Sequence, residues 1–131
     1  MKSFDFAKGS VVQEFGYDDD VNNSVRQQIE TMTGQALVDE DYDDIADGAI
    51  AWWRAEDGDT DDLADLFLDV RDNLDSPASP VWLMIPGPQS EGHVRAAEIE
   101  EAADAAGLIS TTTIPAGGWI AVRIAARGER R

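Results

Sequence analysis

Two short runs, "AIAWWR" (49–54) and "VWLMI" (81–85), constrain the fold of this chain more than any other feature. Each is apolar almost without a break, and each is too short for a buried helix. A strand with one wet face alternates in polarity, so a strand that reads apolar throughout must be covered on both faces. Helices are therefore required on both sides of a sheet, and the sequence supplies them. Between the two runs, Leu63, Leu66, Phe67, Val70 and Leu74 recur at i, i+3, i+4, i+7 and i+11, the stripe of an amphipathic helix. Asp59 or Thr60 can cap its start, where early aspartates also complement the helix dipole.

The flanking segments extend the pattern. Ser10 to Phe15 is β-branched and aromatic enough for a first strand, ended by Gly16. A helix is expected from Asp20 to Met32, with Val21, Val25, Ile29 and Met32 on one face and Gly34 as its C-terminal stop. "ALVDE" (36–40) reads as a short second strand. Val94 to Ala106 reads as an alanine-rich helix closed by Gly107, and "LISTTTI" (108–114) with "WIAVRIAA" (119–126) as a closing hairpin. The order β-α-β-β-α-β-α-β-β predicts a single α/β domain over 1–131. The expected fold is a small three-layer Rossmann-like sandwich whose sheet is mostly parallel, with a C-terminal antiparallel hairpin. Residues 1–8 and 127–131 are expected to be loose ends. In such a sheet a ligand crevice lies at the C-terminal strand ends, where strand order reverses.

Charge narrows the possible partners. The chain has 27 acids and 10 bases, a net charge of −17. Tyr17 to Asp75 holds 19 of the acids and only 3 bases, Arg26, Arg54 and Arg71. Such a field repels nucleic-acid phosphates and anionic membranes and attracts a basic protein partner or a cation; its plainest reading is a solvated acidic surface. No apolar run is long enough to span a membrane. There is no cysteine, which excludes disulfides and thiolate metal sites. The cytoplasm is the expected location.

The stretches "GSVVQEFGYDDDV", "LVDEDYDDIADGAIAWWR" and "VWLMIPGP" resemble a bacterial family, domain-of-unknown-function family 3052, over about Phe6 to Arg127. That resemblance implies no activity. The strand order also resembles a shortened class I methyltransferase fold. In that fold an acid and a glycine-rich turn follow the first strand, and an acid at the end of the second strand holds the ribose of S-adenosylmethionine. The likeness would place Glu14 and Gly16 in the first two roles and Asp39 or Glu40 in the third. Tyr17 and Asp18 stand where further glycines would, so no cofactor is expected.

Other chemistries fit less well. A phosphate loop needs glycines at a helix N-terminus, whereas here Asp18, Asp19 and Asp20 occupy that end, where carboxylates cap backbone N–H groups and repel phosphate. Asp18, Asp20 and Asn22, like Asp57, Asp59 and Asp61, have the alternate spacing of calcium ligands. Both stretches lack the glycine and glutamate that a calcium loop requires further on, and no metal site is expected. His93 is the only histidine, and no serine sits in a G-x-S-x-G elbow. Glu14 could serve as a base only if buried at the sheet end. The crevice is expected to be lined by Glu14, Gly16, Tyr17, Asp39, Trp53, Arg54 and Pro86. Trp52 and Trp53 must point to opposite faces of their strand. Two functional readings follow. The favoured one is a non-enzymatic interaction or regulatory module whose acidic face engages a protein partner. The other is a degenerate S-adenosylmethionine- or nucleoside-binding, methyltransferase-like domain.

Overall fold

The computed structural model describes residues 4–126. Five strands, β1 (Val12–Phe15), β2 (Gly48–Trp52), β3 (Val81–Pro86), β4 (Leu108–Ala116) and β5 (Trp119–Ala126), form one sheet in the order β1-β2-β3-β5-β4. Three helices, α1 (Asn23–Thr33), α2 (Thr60–Asp72) and α3 (Ala96–Ala105), connect them. Both apolar runs are strands, and every residue of β2 and β3 is buried. One face of the sheet packs Ala49, Ala51, Leu83 and Val122 against Leu63, Phe67 and Val70 of α2 and Ile99 and Ala103 of α3. The other packs Val12, Ile50, Trp52, Met84 and Ala121 against Val25 and Ile29 of α1. This is the three-layer arrangement that doubly apolar strands demand.

The sheet is mixed, not mostly parallel. β1, β2 and β3 run parallel, but β5 is antiparallel to both β3 and β4. The expected hairpin forms, with Gly117 and Gly118 both at positive φ in its turn. Its second strand, carrying buried Ala121, Val122 and Ile124, takes the place beside β3 and displaces β4 to the edge.

Local expectations are corrected at three points. The 36–40 segment contributes a single bridge, Gln13 with Val38. Val38 exchanges backbone hydrogen bonds with Val12 and Glu14. The chain then turns as the Asp39 carboxylate accepts the Asp41 N–H at 3.0 Å. Helix α1 starts at Asn23, after the aspartates, because the Asn22 side chain accepts the N–H groups of Ser24 and Val25 and so supplies the cap. At the N-terminus, Phe4 and Phe6 are buried where a loose end was expected. Phe4 stands edge-on to Trp82 with ring centres 5.1 Å apart, and Asp5 accepts the Trp82 Nε1–H at 2.8 Å and pairs with Arg123. The remaining expected loose ends, 1–3 and 127–131, lie outside the described residues.

Helix α2 is capped as the sequence suggests, by Asp59 with Asp62 completing a reciprocal pair of side-chain-to-backbone hydrogen bonds. Its Phe67 is 1% exposed. Replacing Phe67 by alanine is expected to cost about 3–5 kcal/mol in chemical denaturation, the usual loss for an aromatic in a close-packed core. A loss below about 1 kcal/mol would place that face of α2 outside the core.

Candidate functional site

The site is built where β1 ends. Gly16 has φ +75°, and a Cβ there would fall 2.2 Å from the carbonyl oxygen of Trp52. Only glycine lets the loop turn this close to β2. The Gly16 N–H donates to the Glu40 carboxylate at 2.7 Å, so the 39–41 turn closes over the start of the loop. Glu14 is buried on the α1 face. Its Oε2 accepts Arg26 Nε at 2.8 Å and Trp52 Nε1 at 2.9 Å, and its Oε1 accepts Arg26 Nη2 at 2.9 Å. The guanidinium of Arg26 also lies 4.7 Å from the ring centre of Tyr17. Both Glu14 oxygens are thus engaged by charge-assisted or buried donors, which makes the carboxylate a structural anchor between β1, β2 and α1.

Arg54, just past β2, closes the other side. It is 6% exposed. Its Nη1 donates to the carbonyl of Gly16 at 2.8 Å and to that of Trp52 at 3.3 Å. Its Nε and Nη2 grip both carboxylate oxygens of Asp20, and Asp57 approaches from the 3₁₀ turn Ala55–Asp57. The guanidinium lies 5.4 Å from the ring centre of Trp119, which meets Trp52 edge-on at 4.8 Å. The hairpin turn completes the closure, since Asn22 Nδ2 donates to the Gly117 carbonyl at 2.9 Å and the Gly87 N–H donates to Gly118 at 2.9 Å.

The residues expected to line one crevice are distributed over several places. Glu14, Tyr17 and Asp39 border an open groove with Arg26, Glu40 and Asp41. Arg54 and Pro86 border a second with Asp20, Glu56 and Gly92. Gly16 sits between them, its carbonyl held by Arg54. Trp53 belongs to neither. Alternation along β2 turns it to the opposite face, where it packs into the α2 and α3 core beside Leu63 and Val94. The partner roles of Asp20 and Arg26 escaped the sequence reading; Glu40, named there as an alternative to Asp39, instead holds the Gly16 N–H. Asp20 looked like a helix cap, and only the scarcity of bases among Tyr17–Asp75 hinted that Arg26 and Arg54 had assigned anions. His93 is held by a hydrogen bond between its Nδ1 and the Pro86 carbonyl at 2.8 Å. Among the described residues no three histidine, aspartate or glutamate side chains converge in a way that could hold a metal. Nor is any helix among them long and apolar enough to cross a membrane.

Comparisons with solved structures define the class of fold. The N,N-8-amino-8-demethyl-D-riboflavin dimethyltransferase of Streptomyces davawensis superposes with a TM-score of 0.63 at 16% identity, over 95% of this chain and 51% of the enzyme. The magnesium protoporphyrin IX methyltransferase of Synechocystis, solved with bound S-adenosylmethionine, gives 0.54 at 10% identity over 91% and 71% of the two chains. The fold is methyltransferase-like, and the chain spans about half the length of the first of these enzymes. The chain itself belongs to the family described as "Protein of unknown function (DUF3052)", which matches residues 1–128. Uncharacterized proteins of Mycobacterium tuberculosis and Mycobacterium bovis are 38% identical to it over 117 residues, covering 89% of this chain and 72% of theirs.

The hydrogen bonds from Arg54 hold the Asp20 carboxyl below its ordinary value of 3.8. Asp20 therefore stabilises the fold fully above that value, and its contribution is lost as pH falls through the lower folded-state value. Denaturant unfolding followed from neutral pH into acid is expected to show stability falling below about pH 4. The slope is expected to be shallower in Arg54→Met, in which Asp20 has lost the partner that lowers its pKa. Equal slopes in the two proteins would show that the ion pair does not exist in solution.

Proposed function

We propose that the protein is a non-enzymatic interaction module on a methyltransferase-like scaffold, with its acidic side serving a basic protein partner. The observation that carries this reading is the pairing of the strand-end polar groups with partners inside the chain. Each group that the fold would offer to S-adenosylmethionine has a partner within the chain. Glu14 is bound to Arg26 and Trp52, Gly16 to Glu40 and Arg54, and the Asp39 carboxylate to the Asp41 N–H. A ligand that drew on Glu14 or on the Gly16 backbone would compete with these contacts, and exchanging a partly buried charge-assisted pair is costly.

The surface supports the second half of the proposal. All the acids of Tyr17–Asp75 are exposed except Glu30 and Asp47. Along α2, Asp61, Asp65 and Asp69 follow one another at i, i+4 and i+8, with exposed Leu68 beside them. Such a row gives long-range attraction for a cationic surface and an apolar contact within it. The competing reading, a degenerate cofactor-binding domain, draws on the likeness to methyltransferases alone, and fold does not carry function.

Titration calorimetry with S-adenosylmethionine separates the two. The expected result is no saturable heat, with any dissociation constant weaker than about 1 mM. Saturable binding in the micromolar range would transfer the protein to the cofactor-binding class.

A further inference from the structure

The long edge of the sheet carries a feature that the acidic side does not account for. From Ala105 to Val122 no residue is charged, in a chain where 28% of residues are. This stretch includes all of β4, the edge strand, which among the described residues pairs only with β5. Natural edge strands are blunted by lysines, prolines, bulges or a covering element, because an open row of N–H and C=O groups recruits another strand. β4 has a bulge between Ser110 and Thr112 and a proline at position 115, but no charge. Among the described residues, only Asn22, reaching the Ala116 carbonyl at one end, hydrogen-bonds to the β4 backbone from outside the hairpin. Ile109, Thr111, Thr112, Thr113 and Ile114 give the segment a composition suited to pairing.

One wall beside this edge is acidic. Ala97, Glu100, Glu101 and Asp104 of α3 form a groove with Leu108, Ile109 and Ser110 of β4. Both glutamates are exposed. An edge strand next to a helix is the setting in which extended peptides bind by strand addition, with main-chain hydrogen bonds giving affinity and the groove wall giving selectivity.

The geometry points to the β4 edge and the α3 groove as a docking site for an extended basic segment of a partner protein. That segment adds to the sheet along 108–114 and directs lysine or arginine side chains toward Glu100 and Glu101. Charge selects this occupant over a second copy of the chain, which would bring two molecules of net charge −17 together with α3 acids beside the seam. The site rests on the reading of the domain as a protein-binding module, but it lies outside the acidic segment that motivates that reading.

The test uses the full chain and a short peptide of alternating lysine and threonine, with an equally charged peptide interrupted by prolines as the comparison. Calorimetry is expected to show the strand-competent peptide binding at least about tenfold more tightly, and amide exchange is expected to slow within 108–114. E100K/E101K, on an exposed helix face, is expected to weaken binding by about tenfold with an unchanged melting temperature. Absence of binding, equal affinity for the two peptides, or a dimer that protects the same amides without peptide would overturn the site. Protection confined to 17–75 would also overturn it while leaving the protein-binding reading intact. Micromolar S-adenosylmethionine binding is the separate result that defeats that reading.

Discussion

The buried guanidinium of Arg54 is the interaction on which the strand-end architecture depends. A charge at 6% exposure is tolerable only if it is paired and its donors are satisfied. Arg54 meets that requirement by joining two stretches of chain at four points: the Gly16 carbonyl and Asp20 in the β1–α1 loop, and the Trp52 carbonyl and Asp57 on either side of it in its own segment. Trp119, from the far hairpin, lies against the same cation. The β1–α1 loop is therefore folded onto the sheet by an ion pair, whereas a nucleotide-binding loop is left open as a backbone cradle.

The three bases of the acidic segment share this logic. Arg26 holds Glu14, Arg54 holds Asp20 and Asp57, and Arg71 donates to the Ala106 carbonyl at the C-terminal end of α3 at 2.7 Å. Each ties one element to another. The acids are mostly left to solvent, so the net charge of the segment is expressed on the surface, where it acts at long range. The methyltransferase-like scaffold thus pairs its strand-end polar groups within the chain and carries most of its acidic charge on the outer surface.

Much of the fold was legible because its determinants are local. The doubly apolar runs required helices on both faces, the α2 stripe and its Asp59 cap identified that helix, and the positive-φ glycines marked turns. The parts that were not legible depend on partners distant in sequence. Nothing in "LISTTTI" or "WIAVRIAA" states which of two antiparallel strands borders β3. That choice is settled by burial of Ala121, Val122 and Ile124 between the layers. Phe4 and Phe6 looked like part of a loose end because Phe4 meets Trp82, far along the chain, and Phe6 stacks on Phe4. The Asp18–Asp20 run looked like a cap because caps are the usual role of aspartate before a helix; Asn22 filled that role, and Asp20 paired instead with an arginine 34 residues away. Trp53 was placed in the crevice although period-two alternation turns it from the face that Trp52 occupies.

The most direct measurement is the hydrogen exchange of the Arg54 side chain itself, followed by nuclear magnetic resonance at neutral pH. Arg95, whose side chain is 77% exposed and pairs with Glu98, provides the internal reference. If Arg54 is the internal tie of the strand ends, its Nε–H gives a slowly exchanging signal, and Asp20→Asn speeds that exchange. An Arg54 Nε–H that exchanges as fast as that of Arg95 would contradict the account, because the crevice would then be open to solvent and to a ligand.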